Sequence, residues 1–139
     1  MYNAHFNYAV IRFLPYRDIG EFINIGIILH GSDGSFSSRV VEETYPRVNS
    51  VFTLLPEGLF SQHLQLLNNE LARIEKIAYN SNIEKQKKLF KITTESSEGV
   101  FTYSQPGTIS AQSSKLAINE LFIRYVIQSE KLTIERKKI

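Results

Sequence analysis

The sequence predicts an α+β fold in which an antiparallel sheet is packed by two amphipathic helices. Three segments rich in β-branched and aromatic residues lie within the first 42 positions and are separated by turn signals, which predicts a β-meander. Two later segments repeat apolar residues every three or four positions, which predicts helices that cover the sheet. The length of 139 residues favours a single domain over residues 1–130, followed by a basic tail at 131–139.

The meander consists of predicted strands at residues 5–14, 22–30 and 36–42. Pro15 ends the first strand because proline cannot donate to a sheet ladder. The second strand is followed by Gly31-Ser32-Asp33-Gly34, a sequence typical of a tight turn. Gly26 lies inside the second strand and indicates a bulge or a close approach by a neighbouring group.

The register of the first hairpin follows from the parity of its apolar residues. Each strand has a set of alternating apolar residues: Ala9, Ile11 and Phe13 in the first, and Ile23, Ile25, Ile27 and Leu29 in the second. Both sets must face the same core, since a one-residue slip in the pairing would expose one of them. Paired residue numbers should then add up to about 36 for this loop length. This register places Arg12 opposite Asn24 on the second face of the hairpin, with Tyr8, Val10 and Gly26 beside them.

The remaining elements follow from periodicity and capping signals. The predictions are a short helix over 46–54, helices over 57–79 and 113–129, strands over 90–93 and 100–103, and a loop over 105–108. The tail at 131–139 is predicted to be either a short edge strand or a frayed end.

The composition excludes several classes of function. The net charge of +2, from 16 basic and 14 acidic residues, is too small to indicate a polyanionic partner by itself. The chain has no cysteine, which excludes disulfides, thiolate nucleophiles and Cys-based zinc sites. His5, His30 and His63 lack ligand spacing, so neither a metal nor another cofactor is expected. We expect no signal peptide and no membrane span, and therefore a cytoplasmic protein.

Polar residues of the first hairpin are the leading candidates for a binding site. Arg17 and Glu21 flank its turn, whereas Arg12 and Asn24 lie within its strands. A buried arginine needs a partner, which would be Glu21, Glu120 or a bound anion. In a functional interpretation Glu21 is either a general base or a clamp on Arg17, and Asn24 is a directional hydrogen-bonding group. In a structural interpretation both residues only fix the geometry of the hairpin.

Two further sets of residues are candidates for anion binding. Thr108 and Ser110 belong to a polar segment before the last helix, where hydroxyls and a helix N-terminus would bind an anion, although capping explains them equally. Two basic runs would contact nucleic-acid phosphates, or form solvated surface. They consist of Lys85, Lys87, Lys88 and Lys91, and of Lys131, Arg136, Lys137 and Lys138.

Part of the sequence resembles a known bacterial family. The segments are Tyr8-Ala9-Val10-Ile11-Arg12-Phe13, Pro15 and Gly20-Glu21-Phe22-Ile23-Asn24-Ile25-Gly26-Ile27-Ile28-Leu29. They are similar to the opening of DUF3037, a family of unknown function. A weaker similarity continues to about residue 126, through Phe101, Pro106, Ile109-Ser110, Glu120-Leu121-Phe122 and Tyr125-Val126. The resemblance implies a small stand-alone protein, and the genomic neighbours of the family imply a HipA-like kinase as its partner.

Three functions remain open on the sequence alone. The first is an accessory or interaction protein without catalytic activity of its own. The alternative is a protein that binds or processes nucleic acid with the two basic runs. The third is a small hydrolase that uses Glu21 with an adventitious metal ion.

Overall fold

The structure, a computed structural model, describes residues 3–96, 99–128 and 131. This part of the chain forms an antiparallel five-stranded sheet with helices on both faces, which confirms the α+β fold. The strands are β1 (Ala4–Tyr16), β2 (Glu21–Gly31), β3 (Phe36–Val40), β4 (Phe101–Tyr103) and β5 (Gly107–Ala111). The helices are α1 (Pro46–Val51), α2 (Leu59–Tyr79), α3 (Ile83–Glu95) and α4 (Ser114–Phe122), and a π-helical segment (Ile123–Ile127) continues α4.

The long strand β1 organises the sheet. It pairs with β2 along one side, and β3 follows β2, so the predicted meander is confirmed. Along its other side β1 pairs with β4 near its end and with β5 near its start. One long strand therefore joins the first hairpin to both of the later strands, β4 and β5.

The hairpin register agrees with the parity prediction only at the pairs Arg12–Asn24 and Phe13–Ile23, because a second irregularity beyond Phe13 pairs Tyr16 with Glu21 at the turn. Arg12 pairs with Asn24 as predicted, but Ile11 pairs with Gly26, so Ile25 is an extra residue on β2. This bulge lies next to Gly26, the residue that indicated a bulge in the sequence. Because of the extra residue, the side chains of β2 after Ile25 point to the face opposite to the one predicted. Ile27 pairs with Val10 and therefore shares the face of Arg12, which corrects the prediction that all four alternating apolar residues of β2 face one core. Gly26 in turn shares the opposite face with Ile11.

Both faces of the central strands are covered. On the face of Phe13, its ring lies 5.7 Å from the Phe52 ring and 4.9 Å from the Phe60 ring of α2, measured between centroids. On the face of Arg12, the Tyr8 and Tyr125 rings lie 5.8 Å apart. Coverage from both sides explains why β2 is buried without interruption from Ile25 to Gly31.

Residues 83–95 form a helix, so the strand predicted at 90–93 is wrong. Asn82 caps this helix by accepting a hydrogen bond from the Lys85 amide at 2.9 Å. Gln86, Phe90, Thr93 and Thr94 are its buried residues, and their spacing is that of a helical face.

The loop predicted at 105–108 is also partly wrong, because β5 begins at Gly107. Ser113 caps α4, with its side chain accepting from the Leu116 amide at 3.2 Å. Except for Lys131, the predicted tail lies outside the described residues. None of the described helices is long and apolar enough to cross a membrane.

Candidate functional site

Arg12 lies at the point where three strands run side by side. It pairs with Asn24 of β2 on one side and with Thr102 of β4 on the other. Directly paired residues point to the same face of an antiparallel sheet, and this is the face that α4 and the π-helical segment cover. We call Arg12, Phe22, Asn24 and Tyr125 the Arg12 cluster.

The Arg12 side chain is stacked rather than ion-paired. Its guanidinium carbon lies 4.3 Å from the centroid of the Phe22 ring, at cation–π distance. Its Nε atom is buried and has no hydrogen-bond partner among the described residues. Burial lowers the pKa of Arg12 from its ordinary value. The Glu120 carboxylate, predicted as a possible partner, instead binds Arg124 at 3.1 Å.

Asn24 connects the hairpin to the π-helical segment. Its Nδ2 atom donates to the Tyr125 carbonyl oxygen at 2.9 Å. A π-turn does not follow the regular α-helical ladder, and here a carbonyl of such a turn accepts from a side chain of the sheet. The Oδ1 atom of Asn24 is buried without a hydrogen-bond partner in the described part of the chain.

The Arg12 cluster therefore combines an unpaired donor with an unpaired acceptor. The donor is the Arg12 Nε–H group and the acceptor is Asn24 Oδ1, on residues that face each other across the β1–β2 ladder. Buried polar groups are costly when they lack partners. A group that both accepts and donates, such as an amide, matches this pair better than a carboxylate or a phosphate, which only accepts.

Glu21 and Arg17 do not join the cluster. Glu21 is exposed at the start of β2, and by alternation it shares the side of Ile23 rather than that of Asn24. Arg17 donates from Nε and Nη2 to the Gly99 carbonyl oxygen, at 3.0 and 2.7 Å. This contact ties the hairpin turn to the segment that precedes β4.

Thr108 and Ser110 lie on β5, opposite Asn7 and His5. Asn7 is five residues from Arg12, roughly 17 Å along the strand, and odd-numbered residues of β1 face away from Arg12. The Ser110 hydroxyl shares a hydrogen bond of 2.8 Å with His5 Nδ1. These two candidates are thus separate from the Arg12 cluster.

The lysines of the first basic run lie exposed on α3 and are mixed with acidic residues. Lys85, Lys87, Lys88 and Lys91 share the exposed surface of this helix with Glu84 and Glu95. Lys87 Nζ lies 3.6 Å from the Glu84 carboxylate. The second run is outside the described residues except for Lys131, which is exposed.

Sequence reasoning missed the two aromatic residues of the cluster. Phe22 keeps 41% of its surface exposed, and it alternates with Asn24 along β2, so the predicted register already placed it near Arg12. Tyr125 was noted in the sequence only as part of the family resemblance. Its hydroxyl lies 2.9 Å from the Tyr8 hydroxyl, and no pattern in the sequence indicated that its carbonyl would bind Asn24.

A separate cleft of about 420 Å³ lies between α2, α3 and β4. Leu66 and Ile92, which are 65% and 69% exposed, line it. Tyr103 also lines it, and burial followed by the nearby Glu70 charge raises the pKa of Tyr103 to about 12. Within the described residues there is no group of three or more histidine or carboxylate side chains that would hold a metal ion.

Comparison with known proteins gives one match. A family described as "Protein of unknown function (DUF3037)" matches residues 8–126. No curated protein and no solved structure matches the chain.

Proposed function

This chain belongs to the DUF3037 family of proteins of unknown function, and we propose that it is a small accessory protein that binds a protein partner without catalysing a reaction itself. The observation that carries this proposal is the unpaired donor and acceptor of the Arg12 cluster. Unpaired buried polar groups lower stability, so their presence on two residues that pair across the β1–β2 ladder favours a role in binding.

The chemistry of the pair favours a peptide group as its ligand. The carbonyl oxygen of a peptide would accept from the Arg12 Nε–H group, and its N–H group would donate to Asn24 Oδ1. A phosphate would suit Arg12 but would repel the Asn24 oxygen. This difference supports a protein partner over a nucleic-acid backbone.

Phe22 controls access to the pair. Its ring covers one face of the Arg12 guanidinium, and because it is 41% exposed it rotates with little loss of packing. A partner that displaces this ring reaches Arg12 and gains apolar contact with the ring itself. Aromatic and arginine side chains are the residue types that most often dominate binding energy at interfaces.

A HipA-like kinase is the first partner to test, because the resemblance of the sequence implies one. A kinase partner would place this protein in the bacterial cytoplasm. In such a pair the kinase would supply the chemistry, and this chain would supply the recognition site.

The test is capture of the HipA-like kinase of the same host by tagged protein, with a pull-down from host lysate as the search for other partners. Phe22→Ala should reduce capture roughly tenfold, which corresponds to about 1.4 kcal/mol and is more than most interface residues contribute. Leu54→Ala is the matched control, because Leu54 is 89% exposed and lies outside the cluster. Its capture should equal that of the unmodified protein.

Equal capture by Phe22→Ala would contradict the proposed site. Binding of DNA or RNA that weakens with added salt, and is lost when Lys85 and Lys88 are changed to Glu, would support the nucleic-acid alternative instead. Loss of a measured hydrolytic activity in Glu21→Gln, with unchanged stability, would support the hydrolase.

A further inference from the structure

The outer edge of β3 is a second surface suited to binding. We propose that β3 pairs antiparallel with β3 of a second copy of this chain, so that two five-stranded sheets become one continuous sheet. This proposal is independent of the partner proposed for the Arg12 cluster, because β3 contributes no residue to that cluster.

The main-chain hydrogen bonds of β3 show which groups face outward. Gly31 N–H donates to the Ser35 carbonyl and Val41 N–H to the Ile25 carbonyl, each at 2.9 Å. Odd-numbered residues of this segment therefore bond to β2. Because main-chain groups alternate between the two sides of a strand, Phe36, Ser38 and Val40 direct their N–H and C=O groups away from β2. Among the described residues no other strand pairs with this side.

β3 lacks the features that usually prevent edge-to-edge pairing. Edge strands are commonly protected by proline, lysine or a bulge. Phe36–Val40 contains no proline or lysine, and its register with β2 has no irregularity. Its one charged side chain, Arg39, folds back toward α4, with its guanidinium carbon 4.0 Å from the Phe122 ring and a 3.1 Å bond to Asn119 Oδ1.

The opposite edge of the sheet offers no comparable row of groups. It is divided between β4 and β5, and the break at residues 104–106 includes Pro106. A strand added at that edge would therefore find its hydrogen bonds interrupted. β3 instead offers the outward-facing N–H and C=O groups of three alternate residues without a break. β3 is therefore the edge of the sheet better suited to pair with another strand.

The edge is complementary to itself about Ser38. A twofold axis at this residue sets Ser38 opposite Ser38 of the second copy, and Phe36 opposite Val40 of the second copy. All three resulting pairs are hydrogen-bonded pairs, which gives about six main-chain hydrogen bonds. The small serines at the centre allow close approach, and the outer pairs join an aromatic with a β-branched residue, a favourable cross-strand combination.

The test is the mass of the protein in solution, measured by light scattering over a concentration series. The unmodified chain should have the mass of two chains. Ser38→Pro removes an outward-facing N–H group of the main chain and leaves the N–H groups that bond to β2 in place, so it should give a monomer. Ser38→Ala is the matched control, since it also loses the Ser38–Glu75 hydrogen bond but keeps the outward N–H group, and it should stay dimeric.

Cysteine substitution tests the register even if Ser38→Pro fails to fold. The chain has no cysteine of its own. In a hydrogen-bonded pair the two Cα atoms at position 38 lie about 5.5 Å apart, within disulfide range, so Ser38→Cys should form a covalent dimer under mild oxidation. Ser37→Cys is the control, because its two Cα atoms would be roughly 8 Å apart, too far for a disulfide.

Two outcomes would overturn the proposal. One is a monomeric mass at every concentration. The other is a dimer that persists in folded Ser38→Pro or that does not form the disulfide in Ser38→Cys, since such a dimer would use another surface.

Discussion

Arg12 is a half-buried cation with no carboxylate partner among the described residues. The pairing of Arg12 with Asn24 was predicted correctly, because the alternation of apolar residues sets the register at this point of the hairpin. The stacking of the guanidinium group on Phe22 was not predicted, because strand pairing places residues side by side but does not set their rotamers. The Arg12–Phe22 contact therefore depends on side-chain packing, whereas the Arg12–Asn24 pair follows from the strand register.

Replacing Arg12 with Met separates a binding role from a structural one. Methionine retains an apolar contact with the Phe22 ring and removes a buried N–H group that has no partner. We therefore expect the free energy of unfolding, measured with urea, to stay the same or rise by up to about 1 kcal/mol. Capture of the partner should nevertheless fall.

Asn24→Leu is the variant with which the unfolding free energy of Arg12→Met is compared. Asn24 donates to the Tyr125 carbonyl, so this variant should lose about 1–3 kcal/mol because that hydrogen bond is removed. A loss of similar size in Arg12→Met would instead mean that Arg12 is a structural residue.

At the scale of the elements, β1, β2 and α2 could be predicted because their apolar patterns are clear. The helix at 83–95 could not, because three of its four buried residues are polar: Gln86, Thr93 and Thr94. The apolar residues of this segment alone therefore do not indicate which face of the helix is buried. Gln86 is buried because its hydrogen-bond partners come from β2 and from the ends of other elements, and those contacts cannot be inferred from local sequence.

Gln86 joins three elements through its side chain. Its Nε2 atom donates to the Ala78 carbonyl at the end of α2, at 2.9 Å, and to the Gly34 carbonyl in the turn before β3, at 3.1 Å. Since Nε2 is the donor, Oε1 is the acceptor, and His30 Nε2, 3.0 Å away, carries the proton. The side-chain amide of Gln86 thus joins α3 by hydrogen bonds to α2 and to the N-terminal β-meander.

Gln86→Leu should therefore destabilise the fold strongly, although the two side chains are similar in size. It removes the acceptor of the His30 N–H group and the Gln86 bond to the Gly34 carbonyl, while the Ala78 carbonyl still accepts from the Ser81 N–H group. We expect a loss of about 2–3 kcal/mol in the free energy of unfolding. Gln65→Leu, at an exposed position of α2, is the control and should change it by less than about 0.5 kcal/mol. If the two variants unfold alike in urea, Gln86 does not hold these elements together.

At the scale of the whole molecule, the fold class was predictable and the assignment of faces was not. A meander followed by amphipathic helices defines an α+β arrangement, but the extra residue at Ile25 decides which side chains of β2 meet which helix. The bulge places Ile27 and Leu29 under α4 together with Arg12. The Arg12 cluster is consequently part of a covered face, and only the end of that face beside the exposed Phe22 is open to a partner.

The stability of the molecule should depend on pH in the alkaline range because of Tyr103. Burial and the Glu70 charge raise its pKa from 10.0 to about 12 in the folded chain. Between these values the unfolded chain releases the proton while the folded chain keeps it, so the free energy of unfolding decreases as pH rises. The contribution is complete below pH 10 and is lost as pH approaches 12. Tyr8, whose pKa is raised by its hydrogen bond to Tyr125 and by burial, adds an effect of the same sign.

Urea unfolding at a series of pH values between 9 and 11 measures this dependence, in roughly the interval where an unperturbed tyrosine titrates. Tyr103→Phe should show a shallower decrease of stability with pH than the unmodified protein, because one titrating group has been removed. Tyr79→Phe is the control, since Tyr79 is 88% exposed and should leave the slope unchanged. Equal slopes for the Tyr103 variant and the unmodified protein would show that the Tyr103 hydroxyl titrates normally in the fold. Such a result would mean that the cleft between α2, α3 and β4 admits enough water to solvate a tyrosinate.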